Sequence, residues 1–570
     1  MPAQKLKSNN KAPNVSKIHM NKLLKTGQRL MEELNYSEAL VYYNEVWERE
    51  PENTEILVIL SFILTKLAYR DKAILLLERA LEVLGPRLDI LQIMGDMATN
   101  MSMNDAAEKI YRLQIDIFPE SLMAYNNLAS TLNRQERFDE AIEILQGMIE
   151  IYPENHSFWN TLGATVGSRD GESAGLIFYE EAQRLNPKDY RIANNLARSY
   201  CHLDRFEDAI VMAKKSVELN PASFDAQYLL GECYLNLGNL KEGWHFYEMR
   251  RDVRKNDALV YTNKIPEWDG SDLSDKSIII MSEQGLGDEL LFASGIHHIY
   301  EKAKQTYIGC DKRLIPLYQR TFPKAKICEH LTAHQYGHIM RSFPKYEVPH
   351  HNGEITIDYR IPICSIPRFF WKTHEDIPVH DGYLVPDAKR KAHWQKQLDK
   401  IDSNPKVGIT WRSGVRDNMR DRYYTDIEGW GPILQTPGLT FINMQYGDCE
   451  EELALAKEKF GVTIHNLEGL DLFNGIDDSC AMFSCLDLAL TPGNAPGIQA
   501  ASVGTNVWWM ARGVLFWCFG QSQPKILPNN RIISAPVEAS TSEFVKLIAK
   551  YIKKFAKTGN PLIDVKKIVN

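Results

Sequence analysis

Apolar residues along the first half of the chain return at helical spacing, and the pattern as a whole then repeats. Pro51, Pro119, Pro153, Pro187 and Pro221 fall on one 34-residue lattice, with Gly85 at the missing node. On that register a small residue recurs at Ala39, Ala73, Ala107, Ala141, Gly175 and Ala209, where paired helices must approach closely. Large side chains recur at complementary positions such as Leu57, Leu91, Tyr125 and Trp159, and Gly27, Gly95, Gly163 and Gly231 mark tight helix contacts. The lattice predicts stacked helix pairs over 20–255, six full units and a degenerate seventh, behind a disordered leader over 1–19. The seventh unit drifts into LKEGWHFYEMRRDVRK, and a connector rich in turn formers, 256–276, follows.

From Ser277 the period changes. Short β-branched runs alternate with helical stretches, the pattern of α/β units built on parallel sheets. A buried strand is predicted at 278–281, then the turn Ser282-Glu283-Gln284-Gly285-Leu286-Gly287-Asp288 and a helix to about Ala303. A second block opens with a strand at 406–411, passes through Arg412-Ser413-Gly414 and enters a polar loop holding Arg416, Arg420 and Arg422, a candidate phosphate holder. Strands are predicted at 441–444, 486–490 and 506–510, with the turn TPGNAPG (491–497) feeding a short helix at 498–503. A glycine turn that opens onto a helix lets a ligand approach the backbone closely. Neither turn has the G-x-G-x-x-G or Walker spacing, so neither alone implies a nucleotide. The two blocks, 277–390 and 391–570, imply two sheets facing a cleft at the carboxyl ends of their strands, with a donor molecule between them.

Composition narrows this picture. A chain of 570 residues exceeds one core, and 44% apolar with 25% charged residues is ordinary for folded globular domains. The net charge of -8 offers no long-range attraction to a phosphate backbone, which sets nucleic acid aside as a partner. Nine cysteines without a C-x-x-C pair fit reduced thiols and a cytoplasmic location. The N-terminal MPAQKLKSNNKAPNVSK lacks the apolar core of a signal peptide, and the most apolar stretch, 506–520, is too short to cross a bilayer and contains Arg512. No transmembrane segment is expected. His334, His338, His350 and His351 have no carboxylate or cysteine spacing to complete a metal site, and the aromatic run Trp508, Trp509, Phe516, Trp517 and Phe519 reads as core.

The 34-residue register, with its small and large positions, resembles the tetratricopeptide repeat. That resemblance implies an α-solenoid with a concave groove for another polypeptide. Candidate groove residues are Asn126, Asn127, Asn160, Asn194 and Asn195, whose amides can hydrogen-bond an extended partner backbone.

The motifs E-Q-G-L-G-D, V-G-I-T-W-R-S-G and L-D-L-A-L-T, with PEWDG and DGYLVPD in the same layout, resemble the GT-B glycosyltransferase domain of repeat proteins related to bacterial heptosyltransferases. The similarity extends more distantly to O-linked N-acetylglucosamine transferases, and flagellin glycosyltransferases of the bacterial cytoplasm share the layout. The resemblance implies two Rossmann-like subdomains, Asp288 as catalytic base, a sugar nucleotide as donor, and neither cofactor nor metal. Leaving-group phosphate then falls to helix N-termini and guanidinium groups. The donor-binding candidates are Gly285, Gly287, Arg412, Ser413 and Arg422, with Gly493, Asn494 and Gly497 as a second cradle and Gln445 near the donor base. A carboxylate at a helix start is expected to lose basicity.

One departure matters. Heptosyltransferases carry a D-T-x-x-x-H motif in the last turn that grips an adenine-nucleotide diphosphate, whereas here GNAPGI (493–498) lacks both acid and histidine. A different donor is implied, a nonulosonic acid carried on cytidine monophosphate being one hypothesis, or else decay of the transferase. The leading reading is a cytoplasmic protein O-glycosyltransferase whose array binds an acceptor protein, flagellin being the first candidate. The alternatives are an adaptor or chaperone with a degenerate transferase half, and a glycosyltransferase acting on lipid-linked glycan.

Overall fold

The computed structural model describes residues 17–562 apart from 34, 52, 68, 256–257, 284, 336–337, 414–423, 522, 528 and 537–538. Most of the expected leader therefore lies outside the described residues. The chain divides into two compact units, Met1–Pro187 and Lys188–Asn570.

The first unit holds five helix pairs: Lys17–Glu32 (α1) with Tyr36–Arg49 (α2), Glu55–Lys66 (α3) with Arg70–Leu84 (α4), Leu88–Asn100 (α5) with Asn104–Ile117 (α6), Leu122–Arg134 (α7) with Phe138–Ile151 (α8), and His156–Asp170 (α9) with Glu172–Leu185 (α10). Lattice alanines Ala39, Ala73, Ala107 and Ala141 are fully buried at the helix crossings. The glycines follow a longer rhythm. Gly27 faces Tyr43, Gly95 faces Tyr111 and Gly163 faces Tyr179, so that a Cβ at Gly27 would lie 2.8 Å from the Tyr43 ring and one at Gly163 3.0 Å from the Tyr179 ring. In the intervening pairs the same positions hold Ser61 with Leu77 and Ala129 with Leu145. A ring in one helix thus requires the absence of a side chain in its mate, and every second pair uses this solution.

The second unit begins with two more pairs on the same sequence lattice, Tyr190–His202 (α11) with Phe206–Leu219 (α12) and Phe224–Asn236 (α13) with Leu240–Tyr247 (α14). Asp189 and Ser223 cap α11 and α13 by accepting backbone N–H groups of their first turns. Among the described residues the array thus has fourteen helices. A 3-10 turn, Glu248–Arg251, ends it.

Three sheets follow among the described residues. Leu259–Tyr261 (β1) pairs with His338–Ser342 (β6), which pairs with Leu331–Gln335 (β5). Ser277–Met281 (β2), Gln305–Cys310 (β3), Lys326–Glu329 (β4) and Tyr359–Pro362 (β7) form an all-parallel sheet of order β4-β3-β2-β7. Lys406–Ile409 (β8), Thr440–Asn443 (β9), Ile464–His465 (β10), Leu488–Pro492 (β11), Val507–Arg512 (β12) and Asn530–Ala535 (β13) form a second all-parallel sheet of order β10-β9-β8-β11-β12-β13. Both run outward from their first strand and then reverse, the doubly wound order. The strands are buried on both faces, as parallel strands must be: Ile278 and Ile280 enter one apolar cluster, Ile279 and Met281 another.

The helix expected to run to Ala303 is shorter and broken. Leu286–Phe292 (α15) gives way to a 3-10 turn at Ala293–Gly295 before helix resumes at Ile296–Tyr300. The short helix after β11 runs Ala495–Ser502 (α16), and the closing helix Thr541–Thr558 (α17) packs Phe544, Ile548, Ile552 and Phe555 into the cluster under β8, β11 and β12. Trp508, Trp509, Trp517 and Phe519 are core.

The last repeat belongs to that core as well. Trp244 is 2% exposed and packs edge-on against Phe292, Trp371 and Phe519 at 6.1, 6.1 and 5.4 Å between centroids. Drift from the lattice in LKEGWHFYEMRRDVRK thus has a physical reason: this helix packs against α/β structure instead of an eighth helix pair.

The Gly–Tyr rhythm is testable by swapping its two solutions. In urea unfolding followed by circular dichroism, Gly95→Ala should cost about 1–3 kcal/mol by overpacking against Tyr111. Adding Tyr111→Leu recreates the Ala129–Leu145 arrangement and should recover part of the loss; a double variant no better than the single one would contradict this account.

Candidate active site

In a doubly wound sheet, ligands bind beyond the carboxyl ends of the strands where the order reverses. The two reversal points here are β2/β7 and β8/β11, and the glycine turns leave β2 and β11. The helices those turns start, α15 and α16, pack on each other, with Ala495 4.0 Å from a Cβ built on Gly287.

At the first reversal point stands Asp288, on the opening turn of α15. A Cβ at Gly285 would come within 2.8 Å of the Asp288 carboxyl, so a larger residue there would displace that side chain. Burial pushes Asp288 up to about 6, the Glu283 charge adds to the rise, and Arg250 with the Gly285 backbone N–H pulls it back. The expectation that a helix start would make this carboxyl less basic is not met, because burial and the neighbouring Glu283 charge raise it. Neighbouring Glu289 is driven up to about 8, chiefly by burial, and accepts the Asp311 N–H at 3.0 Å. Asp288 lines a void of about 130 Å³ with Tyr228, Tyr247, Arg250, Lys255, Tyr261, Glu283 and Cys364.

At the second reversal point the side chains are knitted together. Thr410 and Thr491 hydroxyls meet at 2.7 Å across β8 and β11, and the Asn494 amide donates to Thr410 Oγ1 at 2.9 Å. Asn494 Oδ1 accepts from Thr491 at 2.8 Å and from Gly497 N at 3.2 Å, capping α16. Gly497 gives room to Trp509 and Thr491. Gly493 lines a cleft of about 660 Å³, where a Cβ would meet the Leu515 side chain at 3.0 Å. One wall of this cleft is repeat helix (Arg198, Cys201 and His202 of α11; Tyr228, Glu232 and Asn236 of α13), and the other is Tyr424, Gly493 and the segment from Met510 to Trp517. Burial also pushes Glu232 up. Tyr228 and Lys255 line both the cleft and the Asp288 void, so the two spaces adjoin.

Several donor-binding candidates have other duties. Arg412 forks onto Glu452 at 2.8 and 2.6 Å and donates to the Asp448 carbonyl at 2.7 Å, so its charge is neutralised within the fold. Gln445 is 1% exposed, and its Oε1 accepts the Trp411 and Arg412 N–H groups at 3.3 and 3.2 Å, latching the loop after β8. Ser413 is buried beside them, and Arg422 lies outside the described residues.

The asparagines also divide. Asn126 Oδ1 accepts the Thr161 hydroxyl at 2.7 Å, bracing two repeats, and Asn194 is buried. Asn127, Asn160 and Asn195 are partly exposed. Reading by residue type missed Arg250, Glu283, Tyr228, Glu232 and Lys255. Glu283 stood in the E-Q-G-L-G-D turn without a role, and Arg250 in the charge-rich drift EMRRDVRK off the lattice.

Comparison with known proteins agrees with the repeat half. Residues 121–152 match a tetratricopeptide-repeat family model, and 174–249 match the model described as anaphase-promoting complex, cyclosome, subunit 3. The helix pairs are tetratricopeptide repeats. Protein FlbA of Caulobacter vibrioides (strain ATCC 19089 / CIP 103742 / CB 15) is 37% identical over 294 residues, which is 51% of this chain and 48% of that protein. The chain therefore spans about half the length of this curated relative. Among solved structures, a thermophilic tetratricopeptide-repeat protein of Thermus thermophilus overlaps 32% of this chain and 99% of its own at 20% identity and a TM-score of 0.29. A tetratricopeptide repeat protein from Parabacteroides merdae ATCC 43184 overlaps 40% and 91% at 13% identity and 0.35.

The Asp288 titration has a signed consequence. Its folded pKa of about 6 lies above the ordinary 3.8, so the folded state holds an extra proton between those values and loses stability as pH rises through them. Asp288→Asn cannot titrate. Its melting temperature relative to the unsubstituted chain should therefore climb between about pH 4 and about pH 7; a difference that stays flat would contradict an Asp288 that titrates near 6.

Proposed function

We propose that this chain is a cytoplasmic, metal-independent protein O-glycosyltransferase whose second half is a GT-B domain. The observation that carries the reading is the adjacency of Asp288, at one sheet's reversal point, to a cleft that repeat helices wall on one side and the second sheet's reversal point on the other. An acceptor protein held by the repeats extends a serine or threonine along Tyr228 and Lys255 towards Asp288. Above about pH 6 the carboxylate is free to take the hydroxyl proton as the sugar bond breaks. The donor is a sugar nucleotide lying against Gly493. A nonulosonic acid on cytidine monophosphate suits a cradle in which Arg412 is already paired, because a single phosphate demands fewer cations. Flagellin, which the motif resemblance suggests, is the first acceptor to test.

The engagement of Arg412 by Glu452 favours a second reading, an adaptor that has lost donor binding. Intact-mass analysis of the acceptor after incubation with a panel of sugar nucleotides separates the two. The transferase predicts a mass increase of one sugar, lost in Asp288→Asn. No increase with any donor, together with no heat of binding for any donor in calorimetry, would leave the adaptor.

A further inference from the structure

The repeat lattice stops at the 3-10 turn Glu248–Arg251, and one side chain of that turn reaches the loop that carries Asp288. Arg250 is 9% exposed at its side chain, and every N–H of its guanidinium has an acceptor. Nε and Nη2 fork onto Glu283 at 3.0 and 2.6 Å. Nη2 also donates to Ser365 Oγ at 2.8 Å, and Nη1 donates to Glu248 at 2.9 Å and to the Tyr247 carbonyl at 3.2 Å. Glu283 is held from two further directions, its carboxylate by the Cys364 N–H at 3.2 Å and its carbonyl by Arg341. The Ser365 hydroxyl donates to Glu248 at 3.0 Å, closing the ring.

Glu283 lies on the turn between β2 and α15, the turn that delivers Asp288. The side chains of Glu283 and Glu248 are 10% and 11% exposed and Asp288 is half-buried near them; Arg250 bonds both Glu283 and Glu248, and Arg251 adds a bond to Glu248 at 3.2 Å. Such an arrangement is strongly destabilised when one partner is removed, because a buried charge is left uncompensated. The fork also has a geometry that lysine cannot reproduce.

We infer that Arg250 is a positioning residue for Asp288: the final turn of the repeat array holds the catalytic turn through the Arg250–Glu283 fork, making the array part of the catalytic apparatus as well as a means of capture. Its effect on rate rests on the transferase reading; its hold on the turn does not. The charged and titratable groups around Asp288 are Glu283, Arg250, Arg251, Lys255, Tyr228, Tyr247, Tyr261 and Cys364. Of these Arg250 favours the carboxylate form, so its loss moves the acidic limb of the rate profile upward.

The test uses the full chain with Arg250→Ala, Arg250→Lys and the double variant Arg250→Met/Glu283→Gln, which removes both buried charges should the alanine variant fail to fold. In Arg250→Ala, kcat should fall roughly 100-fold, as a small misplacement of a reacting group can cause. Acceptor KM should stay within about twofold, since the repeats still capture. The acidic limb should rise by about a unit or more. Arg250→Lys should restore the limb but not the rate, and added guanidinium should rescue the alanine variant in part. Hydrogen exchange over 281–290 should quicken in the alanine and double variants while exchange over 122–185 is unchanged. Undisturbed exchange over 281–290, or a loss confined to acceptor KM with an unmoved pH profile, would overturn the proposal. If the unsubstituted chain transfers no sugar, the transferase reading fails, and the exchange measurement alone decides for or against Arg250.

Discussion

The burial of Trp244 is the contact on which the second unit depends. A parallel sheet needs both faces covered, and a helix of the seventh repeat supplies part of that cover by placing one indole among Phe292, Trp371 and Phe519. Phe292 ends the helix that Asp288 begins, so the same contact bears on where that helix lies. Repeat and sheet are therefore not two cores joined by a tether. The apolar cluster holding Trp244 and Tyr247 also holds Ile278 and Ile280 of the first sheet and Val507 and Trp509 of the second.

Around that core, electrostatics sorts the polar groups by what each can afford to expose. Arg412 and Glu452 neutralise each other, Gln445 and Asn494 complete loop and helix termini, and none of these atoms is left facing the cleft unmatched. Asp288 is the exception. Its environment raises its proton affinity without supplying a cation dedicated to it, and a carboxyl tuned close to neutral is what proton abstraction at cellular pH requires.

Much of this was legible from residue order, and the reasons differ by region. The lattice prolines and alanines announced the helix pairs because close crossings tolerate only small side chains, a local constraint repeated often enough to read. The strands and glycine turns were legible for the same reason, with ends displaced by one to a few residues. What could not be read was partnership. Whether Arg412 is free or paired depends on Glu452, forty residues on, and whether Asp288 is wet or dry depends on Tyr228 and Tyr247 of the array. The Asp288 expectation failed because it took account only of the helix start, whereas burial and Glu283 set the direction of the shift.

The division of the chain at Pro187 and Lys188, rather than at the connector over 256–276, bears on how such a protein could evolve. Residues 188–251 fall in the same unit as the sheets, with Trp244 in their apolar cluster and Arg250 forked onto Glu283. A crossover in the connector would be lethal to the fold, because it would separate Trp244 and Arg250 from the structure they complete. The boundary of the second unit thus lies inside the repeat array, and the last two helix pairs belong structurally with the α/β half.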